Sequence, residues 1–89
     1  MTYELEFKKS ALKEWKKLDE GIKSQFKAKL KERLAQPKVQ ADRLRGDLGY
    51  KIKLRSSGYR LIYTIHDERV VVEVVAIGKR DSIYDRISQ

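Results

Sequence analysis

Cysteine is absent from the 89 residues, and histidine occurs once. A chain without thiols has neither a disulfide framework nor a thiolate nucleophile. With one imidazole, a transition-metal site would have to be built almost wholly from carboxylates, so no metal and no cofactor are expected. One Pro and five Gly leave little material for linkers. A single compact domain over residues 1–89 is therefore expected, of a size that buries only a modest share of its surface. No apolar run approaches the roughly 20 residues of a membrane span, and the start "MTYELEF" lacks the charged-then-apolar form of a secretory leader. The reading is a chain with no membrane association and a cytoplasmic location.

What the chain does have is positive charge: 21 Lys and Arg against 13 Asp and Glu, a net +8 on 10.5 kDa with a pI near 9.8. The excess is spread along the chain, with 11 basic and 6 acidic side chains in residues 1–40 and 10 and 7 in residues 41–89. That distribution argues against a disordered cationic tail and for a folded basic domain with a polyanionic partner, nucleic acid first.

"YELEF" (Tyr3 to Phe7) alternates apolar and acidic positions and reads as a short half-buried strand with Glu4 and Glu6 outward. From Ser10, taken as an N-cap, Ala11, Leu12, Trp15 and Leu18 fall at helical spacing. After Asp19 or Glu20 a second helix carries Ile22, Phe26, Leu30 and Leu34 in a four-residue row, and Pro37 stops it. The two helices are expected to form a hairpin. Lys23, Lys27, Lys29 and Lys31 keep its outer face wet, and the same lysines suit contacts with phosphates.

The second half changes period from 3.6 to 2, with strands expected at Tyr50–Leu54, Tyr59–His66 and Val70–Ile77 in a three-stranded meander. If Ser56 and Ser57 form the first tip, Lys53 faces Arg60 and Leu54 faces Tyr59. A one-residue slip would mix charge into the apolar face. With Asp67 and Glu68 at the second tip, Leu61 meets Val74, Tyr63 meets Val72 and Ile65 meets Val70. The fold class expected is α+β, a small single domain of order β-α-α-β-β-β with the two-helix hairpin on one face of a mainly antiparallel sheet.

The opposite face then collects charge in the rows Lys51, Ile62, Glu73 and Lys53, Arg60, Val75, with Lys79 and Arg80 of "GKRD" near the second row. Like charges directly opposite on a sheet are destabilising, so folding alone does not call for Lys53 beside Arg60. Cations that converge in this way suit a bound phosphate. Other candidates are weaker: His66 beside Asp67 reads as a surface histidine, Ser56 and Ser57 as turn residues, and Glu73 as an ion-pair partner of Lys51.

"DRLRG", "YKIKLRSSGYRLIY" and "VVVEVVAIGKRD", with "LKEWKKL" in the first helix, together resemble the RelE family of bacterial and archaeal toxin–antitoxin ribonucleases over nearly the whole chain. The resemblance implies a short C-terminal helix after the β-α-α-β-β-β core. It further implies cleavage of mRNA in the ribosomal A site and a RelB-like antitoxin as partner. The toxin is expected to be monomeric when free and part of a hetero-oligomer with its antitoxin. Matched position by position, the implied active-site residues are Lys51, Lys53, Arg60, Arg80 and Tyr84, with Arg45, Arg55 and Lys79 binding substrate.

RNA cleavage by the neighbouring 2′-hydroxyl needs a base, an acid for the departing 5′-oxygen and positive charge on the phosphorane. Lys53 suits the base, although a lysine titrates at about 10.4 in isolation and needs nearby cations to lower it. Arg80 suits the leaving group, Lys51 and Arg60 the non-bridging oxygens, and Tyr84 a stacked or oriented base. Two other functions fit the same fold: a ParE-like inhibitor of DNA gyrase, and a non-catalytic RNA-binding module.

Overall fold

The computed structural model describes residues 2–46 and 48–87, with side chains through Ile83. Strand β1 (Glu4–Phe7) is followed by helices α1 (Lys9–Lys17) and α2 (Glu20–Ala35), strands β2 (Tyr50–Lys53), β3 (Tyr59–His66) and β4 (Val71–Lys79), and helix α3 (Arg80–Ile87). The α+β class, the element order and the closing helix are those expected.

Helix α1 starts two residues earlier than the serine suggested. Its N-cap is Lys8, and Ser10 sits inside the first turn. The cause is tertiary: the Lys8 N–H donates to Val74 O at 2.9 Å, which holds the chain extended through residue 8 and lets the helix begin directly afterwards. Helix α2 begins as read, with the Asp19 carboxylate accepting from the Ile22 N–H at 3.0 Å. It ends at Ala35, two residues before Pro37.

The four strands lie in the order β1-β4-β3-β2, so β1 and β2 are the two edges. Strand β1 runs parallel to β4, and the other pairs are antiparallel. The β2–β3 register matches the reading throughout: Tyr50 faces Tyr63, Lys51 Ile62, Ile52 Leu61 and Lys53 Arg60.

The β3–β4 register does not match. The link is longer than a two-residue turn: Asp67–Arg69 form a 3-10 turn and Val70 takes a left-handed φ of 54°. Ile65 therefore pairs with Val72 and Tyr63 with Val74, two residues further along β4 than expected. A two-residue displacement keeps the faces unchanged, which is why the apolar pattern could not reveal it. Between Ile62 and Tyr63 the register shifts again, leaving Val75 as an extra residue, so that Ile62 pairs with Ala76, Leu61 with Ile77 and Arg60 with Gly78.

One face of the sheet packs on the helix hairpin in a core of Ala11, Phe26, Leu30, Ile52, Leu61, Tyr63, Val72, Val74 and Ile77. Trp15 bridges Phe7 and Phe26, with ring centroids 5.3 and 6.3 Å apart. The other face, read from the sequence as the one that collects charge around Ile62 and Val75, carries a second apolar cluster. The bulge sets Ala76 beside Ile62, and Ile83 of α3 covers both, with Leu44 and Val75 at the margin. Ile62 and Ile83 are fully buried.

Gly49 lies where the backbone passes close against β3. Its φ is 108°, and a Cβ there would stand 2.2 Å from the Tyr63 carbonyl oxygen. Gly49→Ala is expected to lower stability by more than the roughly 1–2 kcal/mol of a left-handed backbone alone, because the β2–β3 ladder must open to relieve the overlap. Val70→Asn should act in the opposite direction, raising stability by about 1 kcal/mol, since a β-branched residue at positive φ is replaced by one that tolerates it. Thermal unfolding of the two variants checks both signs.

Candidate functional site

Lys53 and Arg60 stand directly opposite each other at the turn end of the sheet. The adjacent position is hydrogen-bonded, Leu54 N–H donating to Tyr59 O at 2.9 Å. Lys53–Arg60 is therefore the non-hydrogen-bonded type of pair, in which side chains approach most closely. On the far side of Arg60 the register places Gly78 instead of the expected Val75, so the row reads Lys53, Arg60, Gly78 and carries no third side chain. Lys51 lies one row away on the same face, beside Ile62.

No carboxylate among the described residues forms an ion pair with Lys51, Lys53, Arg60 or Arg80; the pairs present there involve Lys23, Arg33, Lys38, His66 and Arg69. The Nε of Arg60 is buried and has no hydrogen-bond partner among the described residues. Buried guanidinium N–H groups are ordinarily satisfied. A half-buried arginine held against a lysine with a donor unused is suited to an oxyanion that accepts from both.

Arg80 reaches the same end of the sheet through the backbone. It opens α3, and its N–H donates to Gly58 O at 2.9 Å, tying the helix start to the β2–β3 turn. Gly58 meets the turn with a φ of 76°. Tyr84 falls in α3 directly after buried Ile83, and its side chain lies outside the described residues. Arg45 is exposed in the loop whose Leu44 packs at the margin of the Ile62 and Ile83 cluster. Arg55 is exposed in the turn after Lys53 and borders a groove of ≈ 500 Å³ between β2 and α2, together with Gln25 and Lys29.

Lys79 is placed apart from the row. It pairs with Tyr59, so it projects from the helix-covered face, where its Nζ sits 4.4 Å from the Tyr59 ring centroid and donates to Ser57 O at 2.9 Å. Lys79 thus braces the β2–β3 turn from the other side of the sheet. Glu73 is also not where the reading put it. The register carries it to Thr64, away from Lys51, and its carboxylate lies 3.0 Å from His66 Nε2. His66 is accordingly a partly exposed histidine partnered by Glu73.

One residue next to the site went unread. Arg33 donates through Nη1 to Lys51 O at 3.2 Å and to the Tyr63 hydroxyl at 2.9 Å, and through Nη2 to the Asp42 carboxylate. Its spacing was a usable signal: it stands three residues after Leu30 and seven after Phe26, so a cation occupies the apolar stripe of α2. Burial pushes the Tyr63 phenol above its ordinary range, against the lowering effect of Arg33. The hydroxyl therefore stays protonated and donates to Pro37 O at 2.7 Å.

Comparison with known proteins covers most of the chain. The family model described as "ParE toxin of type II toxin-antitoxin system, parDE" matches residues 5–84. The mRNA interferase toxin RelE of Escherichia coli K12 is 54% identical over 82 residues, which cover 91% of this chain and 86% of the relative. Among solved structures, an E. coli RelE variant with two arginine-to-alanine substitutions, in the free state, aligns with a TM-score of 0.87 at 48% identity, over 99% of this chain and 92% of that one. The toxin of the intact E. coli RelBE toxin–antitoxin complex aligns with a TM-score of 0.84 at 54% identity, over 86% and 95%. With sequence and fold in agreement over most of its length, the chain belongs to the RelE family within the RelE/ParE toxin superfamily.

Proposed function

We propose that this chain is an mRNA interferase toxin, an endoribonuclease that cuts mRNA in the ribosomal A site and so inhibits translation. A RelB-like antitoxin is its inhibitor and its partner in a hetero-oligomer, and the cytoplasm is its place of action. The observation that carries the reading is the Lys53–Arg60 pair, two directly opposed cations without a carboxylate partner among the described residues, one of them with a buried donor unused. The 54% identity to a protein named as an mRNA interferase supports it, and the antitoxin partner is supported by the structural likeness to a RelBE complex.

In the reaction the message supplies its own nucleophile. Lys53 takes the proton from the 2′-hydroxyl, and the 2′-oxygen attacks the adjacent phosphorus. Lys51 and Arg60 hold the non-bridging oxygens as charge builds on the phosphorane. The bond to the 5′-oxygen breaks while Arg80 stabilises the departing charge, leaving a 2′,3′-cyclic phosphate and a 5′-oxyanion that takes a proton from water to become the 5′-hydroxyl. Arg is a strong charge clamp and a poor proton donor. Orientation therefore supplies much of the rate, and in-line geometry can contribute roughly 7–11 kcal/mol. The ribosome contributes by holding the message, and the exposed lysines of α1 and α2 face its RNA.

The roles lead to two expectations. Lys53→Ala and Arg60→Ala should each lower single-turnover cleavage of programmed ribosomes by at least about 100-fold, read by primer extension, while far-ultraviolet circular dichroism stays that of the parent. Separately, a message with hydrogen in place of the 2′-hydroxyl at the scissile nucleotide should bind and not be cut. Undiminished cleavage of that message would rule out the proposed nucleophile. Growth arrest with translation continuing and replication stopped would instead identify a gyrase inhibitor.

A further inference from the structure

Strand β2 carries Lys51 and Lys53, yet it is the least supported strand of the proposed site. It has four residues and lies at the edge of the sheet, where β3 is its one partner strand and a single antiparallel bridge from Arg43 to Tyr50 is the other backbone pairing among the described residues. Alternation of the ladder turns the backbone groups of Lys51 and Lys53 outward, toward the open side. At that side Arg33 supplies what a neighbouring strand would: its Nη1 donates to Lys51 O at 3.2 Å.

The guanidinium is itself held from several directions. Nη1 also donates to the Tyr63 hydroxyl at 2.9 Å, and that hydroxyl donates to Pro37 O at 2.7 Å. Nη2 is ion-paired to Asp42, and the two side chains are only 15% and 21% exposed. Tyr63 belongs to β3 and faces Tyr50 of β2, with the two rings stacked 5.6 Å apart at 14°. Arg33 therefore joins α2, β2, β3 and the loop before β2 at a single point. Asp42 offsets its charge, so Arg33 is not itself a phosphate ligand.

We propose that Arg33 is a positioning residue for RNA cleavage: through the Lys51 carbonyl and the Tyr63 hydroxyl it sets the placement of β2, and so brings the Lys51 and Lys53 ammonium groups to the phosphate beside Arg60. The proposal rests on the cation-row reading of the site. Its scale follows from geometry, since a displacement of 1 Å at a reacting group can cost on the order of 100-fold in rate. A donor on the outer edge of β2 is well placed to prevent such a displacement, because nothing else described there pairs with the Lys51 carbonyl.

The test is single-turnover cleavage of programmed ribosomes over a toxin concentration series, which separates the saturating rate from the half-saturating concentration. Arg33→Met keeps the apolar stem and removes the donors. It should lower the saturating rate roughly 10- to 100-fold and leave the half-saturating concentration unchanged. Arg33→Lys keeps one donor group and should fall between Met and the parent. If Arg33→Met does not fold, Arg33→Gln takes its place with the same expectation.

A saturating rate equal to the parent's in a folded variant overturns the proposal. So does a loss confined to the half-saturating concentration, or failure of every Arg33 variant to fold, which assigns the residue to stability alone. Lys53→Ala run alongside distinguishes the two levels. If that variant also cleaves at the parental rate, the cation-row reading has failed; if it is inactive while Arg33→Met is fully active, only the positioning role has.

Discussion

The extra residue in β4 governs the rest of the structure. A strand of period 2 offers one apolar face to one layer, and β4 has to satisfy two. Val72, Val74 and Ile77 face the helix hairpin, while Val75 and Ala76 face Ile83 of α3. Only a break in the alternation allows both, and the bulge at Val75 supplies it. Without it the register of Tyr63 with Val74 would carry on to set Ile77 beside Arg60. With it the neighbour is Gly78, and the guanidinium has one cation beside it and an open position on its other flank.

The site is thereby arranged against stability. Opposed cations on adjacent strands repel by several tenths of a kcal/mol, more when partly desolvated. The cost is carried by the apolar cluster under α3 and by the main core, which hold the sheet from its two faces. Lys79 adds support from the opposite side by lying on the Tyr59 ring and holding the Ser57 carbonyl. The fold can therefore hold a cluster that gains stability when an anion arrives.

Most of the fold was legible because its signals are local. The four-residue row of Ile22, Phe26, Leu30 and Leu34, the Asp19 cap and the short turn at Ser56 and Ser57 each act within a few residues. The pairing of Lys53 with Arg60 could be argued because a one-residue slip would have buried charge. What escaped was set by distant contacts. The Val70 turn shifts register by two residues, which period 2 cannot detect, and the Val75 bulge answers to a helix that follows it. Ser10 lost its cap to the Lys8–Val74 hydrogen bond for the same reason. In the site, Lys51, Lys53 and Arg60 were placed on one face from the sequence, whereas Lys79 and Glu73 were displaced by the register change, and Arg33 acts through space from a helix.

The parallel pairing of β1 with β4 has a consequence for the order of events at synthesis. Glu4 finds its partner at Val71, and Tyr3 hydrogen-bonds to Leu34 O only when α2 has been laid down. At translation speeds of 5–20 residues per second, the first strand waits roughly 3–13 s for the strand it joins. During that interval the helices and the β2–β3 hairpin can form from near neighbours, but the fourth strand that closes the sheet against both of its faces does not yet exist. The charged row gains its final geometry only when β4 is in place. The nascent chain thus completes its potentially harmful surface among the last acts of its own folding.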